Sequence, residues 1–154
     1  GDAVMFSYIG LAAGDMSSGL LSQIIRSRTR AVFLFILLTL VFILIYLYAP
    51  ISNSIQFYVI CFLLGFGIGY WALFVTIAAE QFGTNLRSTV ATTVPNFIRG
   101  TVIPLTLLFQ FFRNDLGILT GALIVGLITI IIAFWALRLI DETFGRDLNF
   151  LEED

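Results

Sequence analysis

The sequence predicts an all-α fold, a polytopic bundle of transmembrane helices. Three observations predict it. Apolar residues make up 59% of the chain and charged residues 12%, about half the charged share of an ordinary soluble domain. The apolar residues fall into five long stretches. The arginines gather in the links at one end of those stretches. A chain of 154 residues cannot enclose that much apolar surface in one aqueous core, so lipid is its solvent.

A bilayer core about 30 Å thick is crossed by about 20 apolar residues in helix. The stretches 4–25, 31–49, 55–80, 89–112 and 116–137 meet that length. The first is interrupted by Asp15 and several serines. The second is almost wholly aliphatic and aromatic. The third is long enough to tilt. The fourth carries Pro95, Arg99 and Pro104, and the prolines free backbone carbonyls and bend it. The fifth follows a tight turn at 113–115, where Asn114 or Asp115 can cap it. Residues 1–137 thus form the bundle and 138–154 a polar, acidic tail.

Arg26, Arg28, Arg30, Arg87, Arg138 and Arg146 fall on one side of the predicted membrane, and Arg113 on the other. The positive-inside rule makes the six-arginine side cytoplasmic, with the N-terminus outside and the C-terminus inside. The chain opens on Gly1 with Asp2 behind it, unlike the basic start of a signal peptide, and the start reads as a fragment boundary. The second and fifth spans suit a lipid-facing periphery. The first, third and fourth, with their acids, bases, glycines and prolines, suit a protein-lined interior. Gly10 and Gly14, Gly65 and Gly69, and Gly117 and Gly121 recur at four-residue spacing, which lets helix backbones approach closely.

The chain has no histidine and no lysine, and its single cysteine is Cys61. The commonest general base and metal ligand are therefore missing. No carboxylate pair shares one depth, and no nucleophile stands beside a base, so an enzyme is disfavoured. No cofactor, metal or nucleic acid is expected; the expected partners are the bilayer and a small-molecule substrate.

Asp15 and Arg99 carry the functional information. Each lies about ten residues from the basic end of its span, about 15 Å deep in helix. A charge near the bilayer centre costs about 2.5–3.5 kcal/mol on insertion scales, so each needs a cavity or a partner. Helical spacing places Tyr8, Ser18 and Ser22 beside Asp15, and Thr92, Asn96, Thr106 and Gln110 beside Arg99. Asp15 either carries a coupling proton, neutralises an arginine or caps a helix irregularity. Arg99 either binds a substrate anion or forms a salt bridge, for which Asp15 is one candidate. Tyr70 and Trp71 fall within the third span, where they either stack on a ligand ring or pack the interior.

The run Gly19 to Arg30 resembles the loop motif between helices 8 and 9 of the major facilitator superfamily, with Gln23 where an aspartate is usual. The stretch Ala79 to Arg87 is similar to that family's loop after helix 10, with Gly83 in place of proline. Asp141-Glu142-Thr143-Phe144-Gly145-Arg146 is similar to the sugar-porter box at the end of helix 12, departing from it at Asp141 and Phe144. The resemblance implies the C-terminal half of a major facilitator fold, with the five spans as helices 8 to 12. It implies a cytoplasmic gate of reversible ion pairs at Glu80, Arg87, Arg26, Arg28, Arg30, Glu142 and Arg146. It also implies a missing N-terminal half, or a second copy of the chain, across the substrate path.

The expected function is therefore a secondary transporter of a small polar metabolite, an organic anion or sugar, coupled to protons across a bacterial inner membrane. Arg99, Asn96, Trp71, Tyr70, Thr92 and Thr106 would line the path, and Asp15 would take the proton. The alternative is a non-transporting sensor or assembly module of the same fold.

Overall fold

The computed structural model describes residues 1–147 and 149. Among them the chain is helical throughout its regular structure: α1 (Asp2–Ile25), α2 (Arg28–Tyr48), α3 (Ser54–Gly67), α4 (Trp71–Glu80), α5 (Thr84–Gly100), α6 (Val102–Leu116) and α7 (Ile118–Leu139). Four units are long and apolar enough to cross a membrane: Asp2–Ile25, Arg28–Tyr48, Ser54–Glu80 and Ile118–Leu139. They support an integral membrane protein with transmembrane helices. The last part of the expected 138–154 tail lies outside the described residues.

Two expected spans are not single helices. The third divides into α3 and α4 at Ile68, Gly69 and Tyr70. The fourth divides into α5 and α6 at Thr101. Pro104 accounts for the second break: it has no N–H for the Gly100 carbonyl, and its ring crowds that carbonyl. Pro95 stays inside α5 without ending it. Five uninterrupted spans therefore become four spanning units plus the α5–α6 pair.

Sequence sets the helix ends. Ser27 accepts from the Arg30 N–H at 3.2 Å to cap α2. Asn53 accepts from the Gln56 N–H at 2.8 Å, and the Gln56 amide oxygen accepts from the Ser52 N–H at 2.9 Å. These are reciprocal side-chain caps at the start of α3. The expected turn at 113–115 is instead helical, because α6 runs through it to Leu116. Gly117 makes the turn at φ 84°, in the region open to glycine. Neither Asn114 nor Asp115 caps α7, whose N-cap is Gly117.

α1 and α3 form the tightest pair. The helices run parallel, with Phe6 stacked on Tyr58 near one end and Gly14 against Gly69 near the other. A Cβ on Gly10 would enter the Phe62 carbonyl, and one on Gly65 would enter the Ser7 carbonyl. The two glycine pairs thus meet each other. Gly67 adds a contact that spacing did not reveal: a Cβ there would stand 3.0 Å from the Phe42 ring and 3.2 Å from Thr39 of α2. Of the third pair only Gly121 faces another helix closely: a Cβ there would stand 3.0 Å from the Arg113 nitrogen near the end of α6. Such packing holds helices together in lipid through van der Waals contact, where no hydrophobic drive acts between them.

The buried cluster joins Ala31, Val32 and Ile36 of α2 to Leu73 and Ile77 of α4. This corrects the expectation that the second span is purely peripheral: its first half is core. α7 fits a peripheral place, with Gly121 its one buried residue. The fourth stretch was expected in the interior, yet α5 and α6 bury no residue. Their outer faces have no cover among the described residues.

Candidate functional site

The break between α3 and α4 creates the site. The Gly14 and Gly69 backbones touch, so the chain crosses α1 where only glycine fits. The Tyr70 N–H turns back to the Ile68 carbonyl at 2.9 Å, and α4 starts one residue later. Tyr70 is its N-cap but provides no side-chain acceptor. Its first N–H groups would be orphaned in a medium without water.

Asp15 supplies the acceptor from another helix. Its Oδ1 accepts from the Ala72 N–H at 3.2 Å. Of the readings open from sequence, the observed contact is the cap on a helix irregularity. A carboxylate at a helix N-terminus also meets the positive end of the helix dipole. Tyr70 and Trp71, expected within a continuous span, stand at the helix start instead. Tyr70 lies edge-on to Phe35, with centroids 6.5 Å apart, and Trp71 edge-on to Phe74 at 5.2 Å.

A cavity of about 810 Å³ opens here, walled by α1, α2, α4, α5 and α7. Asp15, Tyr70, Trp71, Gln81 and Arg99 line it among mostly aliphatic side chains. Asp15 and Arg99 therefore share one space, but they form no ion pair. Arg99 reaches only the Asn96 amide oxygen, at 3.5 Å from Nη1.

The other expected path residues do not reach the cavity wall. Thr92 and Thr106 donate their hydroxyls to carbonyls of their own helices and are exposed. Asn96 contributes indirectly, by contacting Arg99.

A second cluster forms at the arginine-rich end. Arg28 and Glu80 make an ion pair of 2.7 Å, with side chains 19% and 7% exposed. Both charges oppose their helix dipoles, Arg28 at the start of α2 and Glu80 at the end of α4, and pairing offsets this. Glu142 completes the compensation at α2. It accepts from the Ser27 hydroxyl, from the Thr29 hydroxyl at 2.7 Å, and from the Arg28 and Thr29 N–H groups at 2.9 and 3.3 Å. Partial burial pushes its carboxyl up, but the donors from Ser27, Thr29, Arg28 and Phe144 outweigh this and lower it to about 2. Gln81 ties α4 to the same segment, donating to the Asp141 carbonyl at 2.9 Å.

Of the expected gate residues, Glu80, Arg28 and Glu142 come together. Arg87 lies nearby on α5 and donates to the Phe82 carbonyl at 3.3 Å. Arg26, Arg30 and Arg146 are exposed and enter no ion pair among the described residues. Arg26 instead ends α1 in the left-handed region, at φ 53°. Ser27, Thr29 and Gln81 were not anticipated. A serine and a threonine just before a long apolar run are helix-start signals, which would have pointed to an acceptor site for a carboxylate. No family model, curated protein or solved structure matches the chain.

Proposed function

We propose that the chain forms the substrate-binding side of a secondary active transporter of a small polar metabolite, with Asp15 as the proton-coupling carboxylate. Oppositely charged Asp15 and Arg99 on one cavity, between helices apolar enough to span a bilayer, carry this reading. Ionisable side chains lining a cavity among apolar spans mark ion and substrate paths in membrane proteins. Broken helices facing a cavity are a recurring transporter feature, because freed backbone groups can then meet a ligand or a side chain.

On this reading α5 and α6 together make a fifth crossing. The arginine-rich end lies in the cytoplasm of a bacterial inner membrane, with the N-terminus outside. The resemblance to the major facilitator superfamily supplies the architecture. The uncovered polar face of α5, with Thr92 and Asn96 exposed, calls for a second helical body, either an N-terminal half or another copy of this chain. The cluster of Arg28, Glu80 and Glu142 is then the inner gate, opened by exchange of a few ion pairs and hydrogen bonds.

The test is uptake by the protein as it occurs in its membrane, purified and placed in liposomes. A proton gradient should drive accumulation of at least one solute from a panel of organic acids, sugars and amino acids, and Arg99→Gln should abolish it. Well-folded protein that moves none of them would leave the sensor or assembly module as the better reading.

A further inference from the structure

We propose that the cavity between α1, α4 and α5 takes a zwitterionic α-amino acid with an apolar side chain, its ammonium at Asp15 and its carboxylate at Arg99. The proposal deepens the transport reading and rests on it for the site's role, though not for the ligand's chemistry.

The lining presents one negative and one positive side chain to a single space, and they do not pair with each other. Each is also incompletely engaged. The Asp15 Oδ1 accepts from the Ala72 N–H, and its Oδ2 accepts no hydrogen bond among the described residues. Arg99 uses Nη1 on Asn96, which leaves Nη2 and Nε for a ligand. A guanidinium presents a planar fork that matches a carboxylate with two parallel donors. A carboxylate oxygen left free beside it matches an ammonium.

Sign decides among ligand classes. A simple anion would satisfy Arg99 but bring a like charge toward Asp15. A simple cation would do the reverse. A neutral sugar would engage neither charge fully and would expose its hydroxyls to an aliphatic wall. A ligand with an ammonium, a carboxylate and an apolar body offers each charged side chain its opposite and the aliphatic wall a matching surface. Its body has Val32, Ile36, Phe74, Ile77, Ile98 and Leu137 to rest on, and the ring of Trp71 stands at the same wall.

Trp71 also supplies the readout. Trp135 lies on α7 outside the cavity lining and is 64% exposed, so Trp135→Phe leaves Trp71 as the one indole within residues 1–154, and the same titration of a Trp71→Phe variant isolates its signal. Its fluorescence is followed in the detergent-solubilised native protein during titration with L-phenylalanine, 3-phenylpropanoate and 2-phenylethylamine. Phenylalanine should give a saturable change. Each single-charge analogue should bind roughly 10- to 100-fold more weakly, the loss of one charged hydrogen-bonding group.

Two variants assign the ends. In Arg99→Gln, phenylalanine should lose its advantage over phenylethylamine. In Asp15→Asn, it should lose its advantage over phenylpropanoate, while the amide oxygen still caps Ala72 and keeps the fold. Either analogue binding as tightly as phenylalanine, or no saturable change with phenylalanine, overturns the proposal. Accumulation of another solute without such binding removes this ligand class alone. Binding with this selectivity but no uptake removes the transport reading and leaves the ligand class standing.

Discussion

Asp15 reaches a backbone donor 57 residues away in sequence, and the cap it makes closes a gap in α4 that no neighbouring side chain fills. Removing a helix cap usually costs about 1 kcal/mol. Asp15→Ala should lower the thermal midpoint in detergent, and Asp15→Asn should recover most of the loss. Equal losses in both variants would mean that the charge matters and the acceptor does not. Glu142 gives a second residue-level test. Its folded carboxyl titrates at about 2, below the ordinary 4.5. Its contribution to stability is thus fully present above about pH 4.5 and is lost as pH falls toward 2. The midpoint difference between the native protein and Glu142→Gln should be widest near pH 6 and shrink steadily as pH falls from about 4.5 toward about 2. A constant difference would show that the carboxylate's ionisation is irrelevant to holding the tail.

At the scale of the helix, glycines fall into two kinds. Gly10 and Gly65 lie where a Cβ would strike the partner backbone, whereas Gly19 and Gly126 have nothing within 4 Å of theirs. Alanine at Gly10 or Gly65 must part α1 from α3, at a cost of about 1–3 kcal/mol typical of overpacking. Alanine at Gly126 should be neutral or stabilising by up to about 1 kcal/mol. Chemical or thermal unfolding of the three variants separates the two kinds. The break at Thr101 is testable as well. Pro104→Ala restores a donor to the Gly100 carbonyl and should join α5 to α6. Spin labels at 92 and 110 should then move apart, and an unchanged distance would assign the bend to tertiary contacts.

Sequence made some of this readable and hid the rest for physical reasons. Hydropathy found the spanning units because lipid requires an uninterrupted apolar length. It missed the α3–α4 break because Gly65-Phe66-Gly67-Ile68-Gly69 is as apolar as an intact helix, and what stabilises the interruption is Asp15 on another helix. The two charges expected mid-span stood out from cost alone, whereas their place on one cavity depends on how α5 packs against α4. Thr92 and Thr106 looked like path residues because they share a face with Arg99. A hydroxyl in a helix can satisfy itself on the preceding turn, so polarity alone does not send it to a ligand.

For the whole molecule, the arginine-rich end links segments that are remote in sequence. Arg28 to Glu80, Glu142 to α2 and Gln81 to Asp141 together join the start of α2, the end of α4 and the first residues after α7. Taking one partner from a largely desolvated pair strands the other charge. The double variant Arg28→Gln with Glu80→Gln should therefore destabilise the protein by less than the sum of the two single losses. A coupling energy on the order of 1–3 kcal/mol is expected for neighbours in one network. Strict additivity in that cycle would show that the pair contributes nothing as a unit.

The α1–α3 pairing also sets an order of events during synthesis. α1 leaves the ribosome before α3, and its glycine face has no counterpart until α2 has turned back and α3 has followed. Until α4 begins, the Asp15 carboxylate has no N–H to receive, and it bears alone the insertion penalty of about 2.5–3.5 kcal/mol. On this account α1 settles as a membrane helix only once α3 and the start of α4 have followed it. A nascent chain stalled before Ala72 should therefore be easier to extract from the bilayer than one stalled a few residues later.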